Sequence, residues 1–522
     1  MRRFGMTTIF GNPGSTEIPF LTDLPADIRF VLGLHEGTVV GMASGYALAQ
    51  GRPAFVNLHT APGLGNAINA IANARDSRIP LVIVVGQQDR RQLPFEPFLT
   101  GRALDRLAGE YPVWTSTPLR PQDLPGAIAR AYHEADGARA PALVVAPMGD
   151  WSEPADALGA GTPAAVVRTD AVRELDVAPL VDLIDAAQSP ALVVGAGSDT
   201  SDGWAAVLQL AERLGCPVWQ EAFGGRAGFP QDHPLFAGHL PWMRRRMHAA
   251  LSPHDLVLAI GTNAFRAYLF DDEVALVAPG TRVAVITDTE AEALRSPCEL
   301  ALVAPVAGAC AALADGVRER APSAEPPRLP LYTPPPAPAP PGPGEPLRAG
   351  HVLTALAERL PPDVVLVEET PSSRPELHAR LPARAPMGFV SGANGGLGFG
   401  LSGSIGLRMG NPDRPVVAVL GDGASLYTIQ ALWSAARYGV GVLLIVMANG
   451  GYAVMDALAR DEGGDGAWGQ FTAIDIPTIA AGFGCPATRV ETHDELVRTL
   501  DEVMPTLRDR HEPLLVAVSV AP

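Results

Sequence analysis

The stretch Val416-Val417-Ala418-Val419-Leu420-Gly421-Asp422-Gly423-Ala424-Ser425 decides the reading of this chain. Its apolar run fits a strand buried on both faces, as in a parallel sheet covered by helices. A helical pattern follows, then a second run, Val442-Leu443-Leu444-Ile445-Val446-Met447, ending in Ala448-Asn449-Gly450-Gly451-Tyr452. Asp422 and Asn449 stand 27 residues apart. That is one strand-helix-strand unit, so both fall at the same edge of adjacent strands, where such sheets bind ligands. A carboxylate, an amide oxygen and the Gly451 carbonyl form a hard oxygen set. Two phosphate oxygens and a water would complete six ligands around Mg2+. Gly421 and Gly423 let the backbone approach a diphosphate, and the helix start that follows favours its negative charge. Either glycine motif alone would be a tight turn; the pairing, each after a buried strand, points to a cofactor. Gly464-Asp465-Gly466 follows no strand and reads as a loop.

Outward from this unit the same alternation recurs. Short Val/Ile/Leu runs lie at 29–33, 54–58, 80–85 and 142–145, then at 191–194, 256–260 and 283–286, then at 364–367 and 514–518, with helical patterns between them. The fold class is therefore α/β: three domains with parallel sheets flanked by helices. The densest Pro/Ala stretch, Pro322 to Pro346, reads as an extended, exposed linker. A weaker break lies near Asp150 to Pro163. The expected division is a first domain at 1–160, a central α/β domain at 161–321, a linker at 322–348 and a third domain at 349–522. The first and third domains read as variants of one fold.

Composition excludes several classes. The 522 residues are 47% hydrophobic and only 18% charged, ample for large cores. A net charge of −17 argues against a nucleic-acid or anionic-membrane partner. No lysine is present, which excludes Schiff-base and phosphate-loop lysines. Cys216, Cys298, Cys310 and Cys485 are scattered, so neither a zinc site nor a disulfide framework is indicated, and a reducing cytoplasm fits. No signal peptide or membrane-spanning run is visible.

GDG followed about 27 residues later by an asparagine turn is the hallmark of thiamine-diphosphate-dependent enzymes, and the chain resembles that family, benzoylformate decarboxylases in particular. The resemblance is carried further by Phe10-Gly11-Asn12-Pro13-Gly14-Ser15-Thr16-Glu17-Ile18-Pro19-Phe20-Leu21, Val56-Asn57-Leu58-His59-Thr60-Ala61, Gly395-Gly396-Leu397-Gly398-Phe399 and Ala431-Leu432-Trp433-Ser434-Ala435-Ala436. It implies thiamine diphosphate and Mg2+ as cofactors, with domains in the order pyrimidine-binding, central, diphosphate-binding. It also implies a homodimer or homotetramer in which Glu36 of one subunit meets the diphosphate domain of another.

The resemblance assigns roles residue by residue. Glu36 hydrogen-bonds the aminopyrimidine ring, His59 handles protons on the substrate adduct, and Ser15 holds the substrate carboxylate. Leu397 forces the cofactor into a bent shape. Asn12, Pro13, Gly14, Asn66, Pro371, Ser372, Gly395, Asp422, Gly423, Ala424, Asn449 and Tyr452 contact the cofactor; Asp422, Asn449 and Gly451 hold the metal. His59 is expected to face a loop, Ala61 to Asn66. Tyr268 aligns with the family's second catalytic histidine, and a tyrosine is a much weaker acid near neutral pH. The implied reaction is decarboxylation of a 2-keto acid to an aldehyde and CO2, with carboligation as a companion activity. An aldehyde lyase or acetolactate-synthase-like enzyme is the alternative; a non-catalytic cofactor-binding homologue is the rival from another class. Tyr268, Val454 and Leu458 are expected to line an apolar pocket. Met1-Arg2-Arg3 aligns with the end of the family's first helix, so most of that helix is expected to be missing, exposing apolar surface. Val194-Gly195-Ala196-Gly197-Ser198 is only a partial dinucleotide motif, so the central domain is expected to bind neither FAD nor a nucleotide.

Overall fold

Runs of Val, Ile and Leu that bury both faces of each strand build three six-stranded sheets, and the strand pairings described are all parallel. The structure, a computed structural model, describes the chain except residues 156–164, 170, 269, 271–273, 321–329, 343 and 522. The weaker expected break and the start of the expected linker therefore fall partly outside the described residues. Residues 333–342 carry neither helix nor strand and are mostly exposed, as their proline content requires.

The chain forms two compact units. One comprises Met1–Val166, Pro338–Arg374 and Asn394–Pro522; the other comprises Val167–Ala337 and Pro375–Ala393. The first unit holds the first sheet, ordered in space as Arg29–Leu32, Thr8–Asn12, Ala54–Leu58, Leu81–Gln87, Pro141–Pro147 and Trp114–Ser116. It also holds five strands of the third sheet: Val365–Glu369, Val416–Gly421, Leu443–Ala448, Leu514–Ser519 and Ala487–Val490. These follow the same order as the first sheet without its outermost strand, Arg29–Leu32, so the two sheets are variants of one topology.

Two helices join the sheets of this unit. α1 (Glu36–Gln50) is buried along most of its length, as a helix apolar or small on every side should be. It lies against α3 (Phe399–Gly410); between them in sequence lies α2 (Thr60–Asp76). The crossing of α1 and α3 is close because both present glycine. A Cβ on Gly45 would strike the Gly403 carbonyl, and one on Gly406 would strike that of Met42.

In the second unit the spatial order is Leu300–Val303, Arg282–Thr287, Leu256–Ile260, Pro190–Val194, Val218–Gln220 and Phe236–His239. Strand order reverses between Leu256–Ile260 and Pro190–Val194, the usual ligand crevice of an open α/β sheet. Here the Gly195-Ala196-Gly197-Ser198 turn is met by the chain itself. The Arg226 guanidinium donates to the Ala196 carbonyl at 3.0 Å and pairs with buried Asp199 at 3.2 Å. Gly228 packs so tightly on this turn that a Cβ there would come 2.7 Å from the Gly195 carbonyl oxygen. Among the described residues no helix is long and apolar enough to cross a membrane.

Candidate active site

Three neighbouring strands of the first sheet end at one edge, and the residues that follow them gather there. Gly11 lies level with Leu32, and Asn12 with Leu58. Asn12 closes its strand, exposed Pro13 and half-buried Gly14 follow, and exposed Ser15 opens a short 3-10 turn, Ser15–Glu17. Glu36 is the first residue of α1, whose start is capped by the His35 ring accepting from the Gly37 N–H at 3.0 Å. Glu36 is buried. Its two carboxylate oxygens accept one amide N–H each, from Asn12 at 3.1 Å and from Asn66 at 3.0 Å.

His59 follows the strand Ala54–Leu58 directly. The expected loop after it, Ala61 to Asn66, is instead the start of α2. Pro62 does not break the helix because it lies in the first turn, where backbone N–H groups have no intrahelical acceptor. The entry is strained: Thr60, a β-branched residue, has φ +38°. Asn66 thus reaches Glu36 from a helix, a firmer base than a loop.

On the third sheet Gly421 pairs with Met447, which places Asp422 beside the turn carrying Asn449. The Asp422 carboxylate accepts the Gly450 N–H at 2.7 Å and the Gly423 N–H at 2.8 Å. Asn449 Oδ1 accepts the Gly451 N–H at 3.1 Å. The helix after Asp422 spans only Asp422–Ser425. The expected favourable helix dipole is therefore a single turn, and backbone N–H groups do more of the local ordering. Gly423 and Ala424 are buried; exposed Tyr452 lies against Gly423 and meets Phe471 edge-on, ring centres 5.0 Å apart. Exposed Pro371 and Ser372 lie nearby: the Ser372 hydroxyl accepts the Val454 N–H at 3.1 Å at the start of α4 (Ala453–Asp461). Val454 and Leu458 are half-buried on that helix.

The turn carrying Leu397 is held from two sides by residues that sequence reading missed. Asn69 donates to the Leu397 carbonyl at 3.0 Å and Asn73 to that of Gly396 at 2.5 Å, both from α2. From the other side, Glu369 accepts the Gly398 and Phe399 N–H groups at 2.9 and 3.1 Å. Gly395 lies exposed at the head of this turn with φ +84°. Also missed were Thr16 and Glu17, both buried beside His59. Glu17 had a local signal, since a Glu at the third position of a helical turn closes a capping box, here on the Gly14 N–H at 2.8 Å. Asn69 and Asn73 had none, because their partners lie far away in sequence, and Glu369 had none because no motif marks the Gly398 and Phe399 N–H groups it accepts. Tyr268 belongs to the second unit. It is 54% exposed, edge-on to Trp242 and Phe223.

The donor set fits a bound dication and a polar ring. Burial pushes the Asp422 carboxyl up, while the backbone N–H groups of Gly450, Gly423 and Asn449 pull it back. Among the described residues no Arg or His pairs with Asp422, whereas the neighbouring buried carboxylate of Glu368 binds Arg374 at 2.8 Å. A buried carboxylate without a cation is costly, and one beside an amide oxygen suits Mg2+. Among the described residues Glu36 likewise has amide donors and no cation, leaving acceptor capacity for a ring N–H. Among the described residues no group of three or more His, Cys, Asp and Glu could hold a metal; a set built on Asp422 would draw on amide and backbone oxygens instead.

Comparison with known proteins agrees with this geometry. Residues 1–105 match the thiamine pyrophosphate enzyme N-terminal TPP binding domain, 177–313 its central domain and 375–518 its C-terminal TPP binding domain. The chain is 37% identical over 530 residues to a benzoylformate decarboxylase of Pseudomonas aeruginosa, covering 99% of this chain and 97% of that one. It is 27% identical to an acetolactate synthase large subunit of Parasynechococcus marenigrum, covering 98% of this chain and 86% of that one. A solved thiamine diphosphate-dependent 4-hydroxybenzoylformate decarboxylase of Rhodococcus jostii superposes with a TM-score of 0.93 at 33% identity, covering 100% of this chain and 97% of that one. With the Asp422–Asn449 edge, the buried Glu36 and three matched domains, this chain belongs to the thiamine pyrophosphate enzyme family.

Proposed function

We propose that this chain is a thiamine-diphosphate-dependent carboxy-lyase that converts a 2-keto acid to an aldehyde and CO2. The observation that carries the reading is the convergence of Ser15, Glu36 and His59 at one edge of the first sheet, in a chain similar over its whole length to a benzoylformate decarboxylase. When bound, thiamine diphosphate supplies a nucleophilic carbon and a sink for the electrons released with CO2. The protein's own residues do the rest. Asp422, Asn449 and the Gly451 carbonyl would hold Mg2+ and through it the diphosphate, and Gly423, Ala424, Tyr452, Pro371 and Ser372 would contact the cofactor. Glu36 would hold and polarise the pyrimidine ring, and Leu397 with Gly395 would contact the cofactor. Asn12, Pro13, Gly14 and Asn66 would contact it at its ring end. The exposed Ser15 hydroxyl orients the substrate carboxylate, and His59 moves a proton at the reacting carbon.

Carboligation is a second reading, favoured by one residue. Tyr268 stands where the family resemblance expects a histidine, and a tyrosine protonates a carbanion-like centre poorly near neutral pH. Slow protonation gives a second aldehyde time to react. Self-association as a homodimer or homotetramer and a cytoplasmic location, in keeping with four free cysteines, belong to the same proposal. So does the division at 1–160, 161–321, 322–348 and 349–522.

The test is CO2 and aldehyde release from a panel of aromatic and aliphatic 2-keto acids, with thiamine diphosphate and Mg2+ supplied. The proposal expects both products from at least one acid. No CO2 from any of them rejects it.

A further inference from the structure

Two buried side chains beside His59, Thr16 and Glu17, form a closed hydrogen-bond set with it. Glu17 is 1% exposed. Its Oε2 meets His59 Nδ1 at 2.9 Å and accepts the Gly14 N–H at 2.8 Å. Its Oε1 accepts the Thr16 hydroxyl, whose oxygen lies 3.0 Å from the same His59 Nδ1. A carboxylate only accepts, and a hydroxyl has one proton to give. With the Thr16 proton committed to Glu17, both neighbours of Nδ1 are acceptors, so Nδ1 must carry the proton. No hydrogen bond engages Nε2 among the described residues. Two further features keep the set rigid. A Cβ on Gly86 would collide with the Glu17 carboxylate and the Thr16 hydroxyl, so only glycine closes this wall. Thr60, the next residue after His59, is held at φ +38°, a strained conformation of the kind that clusters at functional sites.

We propose that Glu17, seconded by Thr16, is the positioning residue of His59: it fixes the proton on Nδ1 and leaves Nε2 as the atom that takes up a proton from water and gives it to the reacting centre. The proposal rests on the decarboxylase reading for the identity of that proton. Nδ1 keeps its hydrogen throughout, Glu17 only accepts hydrogen bonds, and per turnover one proton from water arrives at Nε2 and leaves it for the product aldehyde, the one proton that decarboxylation consumes. The logic is that of a carboxylate holding an imidazole in one tautomer.

The experiment is 15N NMR of the histidine-labelled full chain, with the His59 signals assigned by their loss in His59→Gln. The wild type is expected to show neutral His59 protonated on Nδ1. In Glu17→Gln the amide can donate to Nδ1, so the Nε2–H tautomer should gain population. In the same variant kcat for the keto acid should fall about 10²-fold or more with little change in KM. Glu17→Gln combined with His59→Ala should be no slower than His59→Ala alone, which a merely structural Glu17 would not give. A wild-type His59 protonated on Nε2 overturns the proposal, and so does additive loss in the double variant. The wild-type spectrum decides even where Glu17→Gln fails to fold, and it decides independently of whether any keto acid is turned over.

Discussion

Asp422 and Glu369 are both buried carboxyls, and their surroundings give them different tasks. Burial pushes Glu369 up to about 8, against the pull of the Gly398, Gly400 and Phe399 N–H groups. The folded protein therefore holds a proton that the unfolded chain releases from about pH 4.5 upward. Stability should fall as pH rises from about 4.5 towards 8. Glu369→Gln keeps an acceptor for Gly398 and Phe399 but cannot ionise, so its melting temperature should drop less between about pH 5 and pH 8 than that of the wild type. Equal slopes in a thermal melt series would remove Glu369 as the source. Glu36 yields a second prediction: Glu36→Gln should stay folded and lose turnover by about 10²-fold or more. Unchanged turnover would show that the ring is activated otherwise. At this scale the placement of Asp422, Asn449 and Glu36 just past strand ends was legible, because each follows an apolar run that announces a strand end. Asn69 and Glu369 were not, since an ordinary helical asparagine and a strand-end glutamate gain meaning only when Leu397, 328 residues from Asn69, folds onto them.

The elements carry this arrangement through the contact of α1 with α3. Small residues, not large ones, make that crossing, so enlarging them forces backbone apart. Gly45→Val should destabilise the protein by about 1–3 kcal/mol or more, read as a lower denaturation midpoint. It should also weaken cofactor binding, because Glu36 begins α1 and Leu397 lies just ahead of α3. A Gly45→Val protein with unchanged midpoint would mean that the crossing tolerates a side chain. The strand runs read from sequence all occur, within two residues at their ends. Short strands such as Trp114–Ser116, Val218–Gln220 and Ala487–Val490 escaped because three or four mixed residues give no period to read. The Ala61–Asn66 error had the opposite cause: Pro62, Gly63 and Gly65 suggest a loop, and tertiary packing of α2 overrides them.

At the scale of the whole molecule, one topology used twice gathers two sets of strand-end residues, which the proposed function assigns to the two ends of a cofactor. The first sheet offers Ser15, Glu36 and His59, and the third offers Asp422 and Asn449, each at the edge where its strands end. The second unit repeats the α/β principle, with its own Arg226 lodged at the crevice where strand order turns. The central claim is that Asp422 and the Asn449 turn clamp a diphosphate through magnesium. Because burial raises Asp422, this clamp should also weaken as pH falls, as protons compete with the metal. The most direct test is calorimetric titration of thiamine diphosphate into the purified protein with and without Mg2+, alongside Asp422→Ala. The account predicts binding that needs Mg2+ in the wild type and is lost by at least about tenfold in the variant. Binding that ignores Mg2+, or an Asp422→Ala protein that binds as tightly as the wild type, would contradict it.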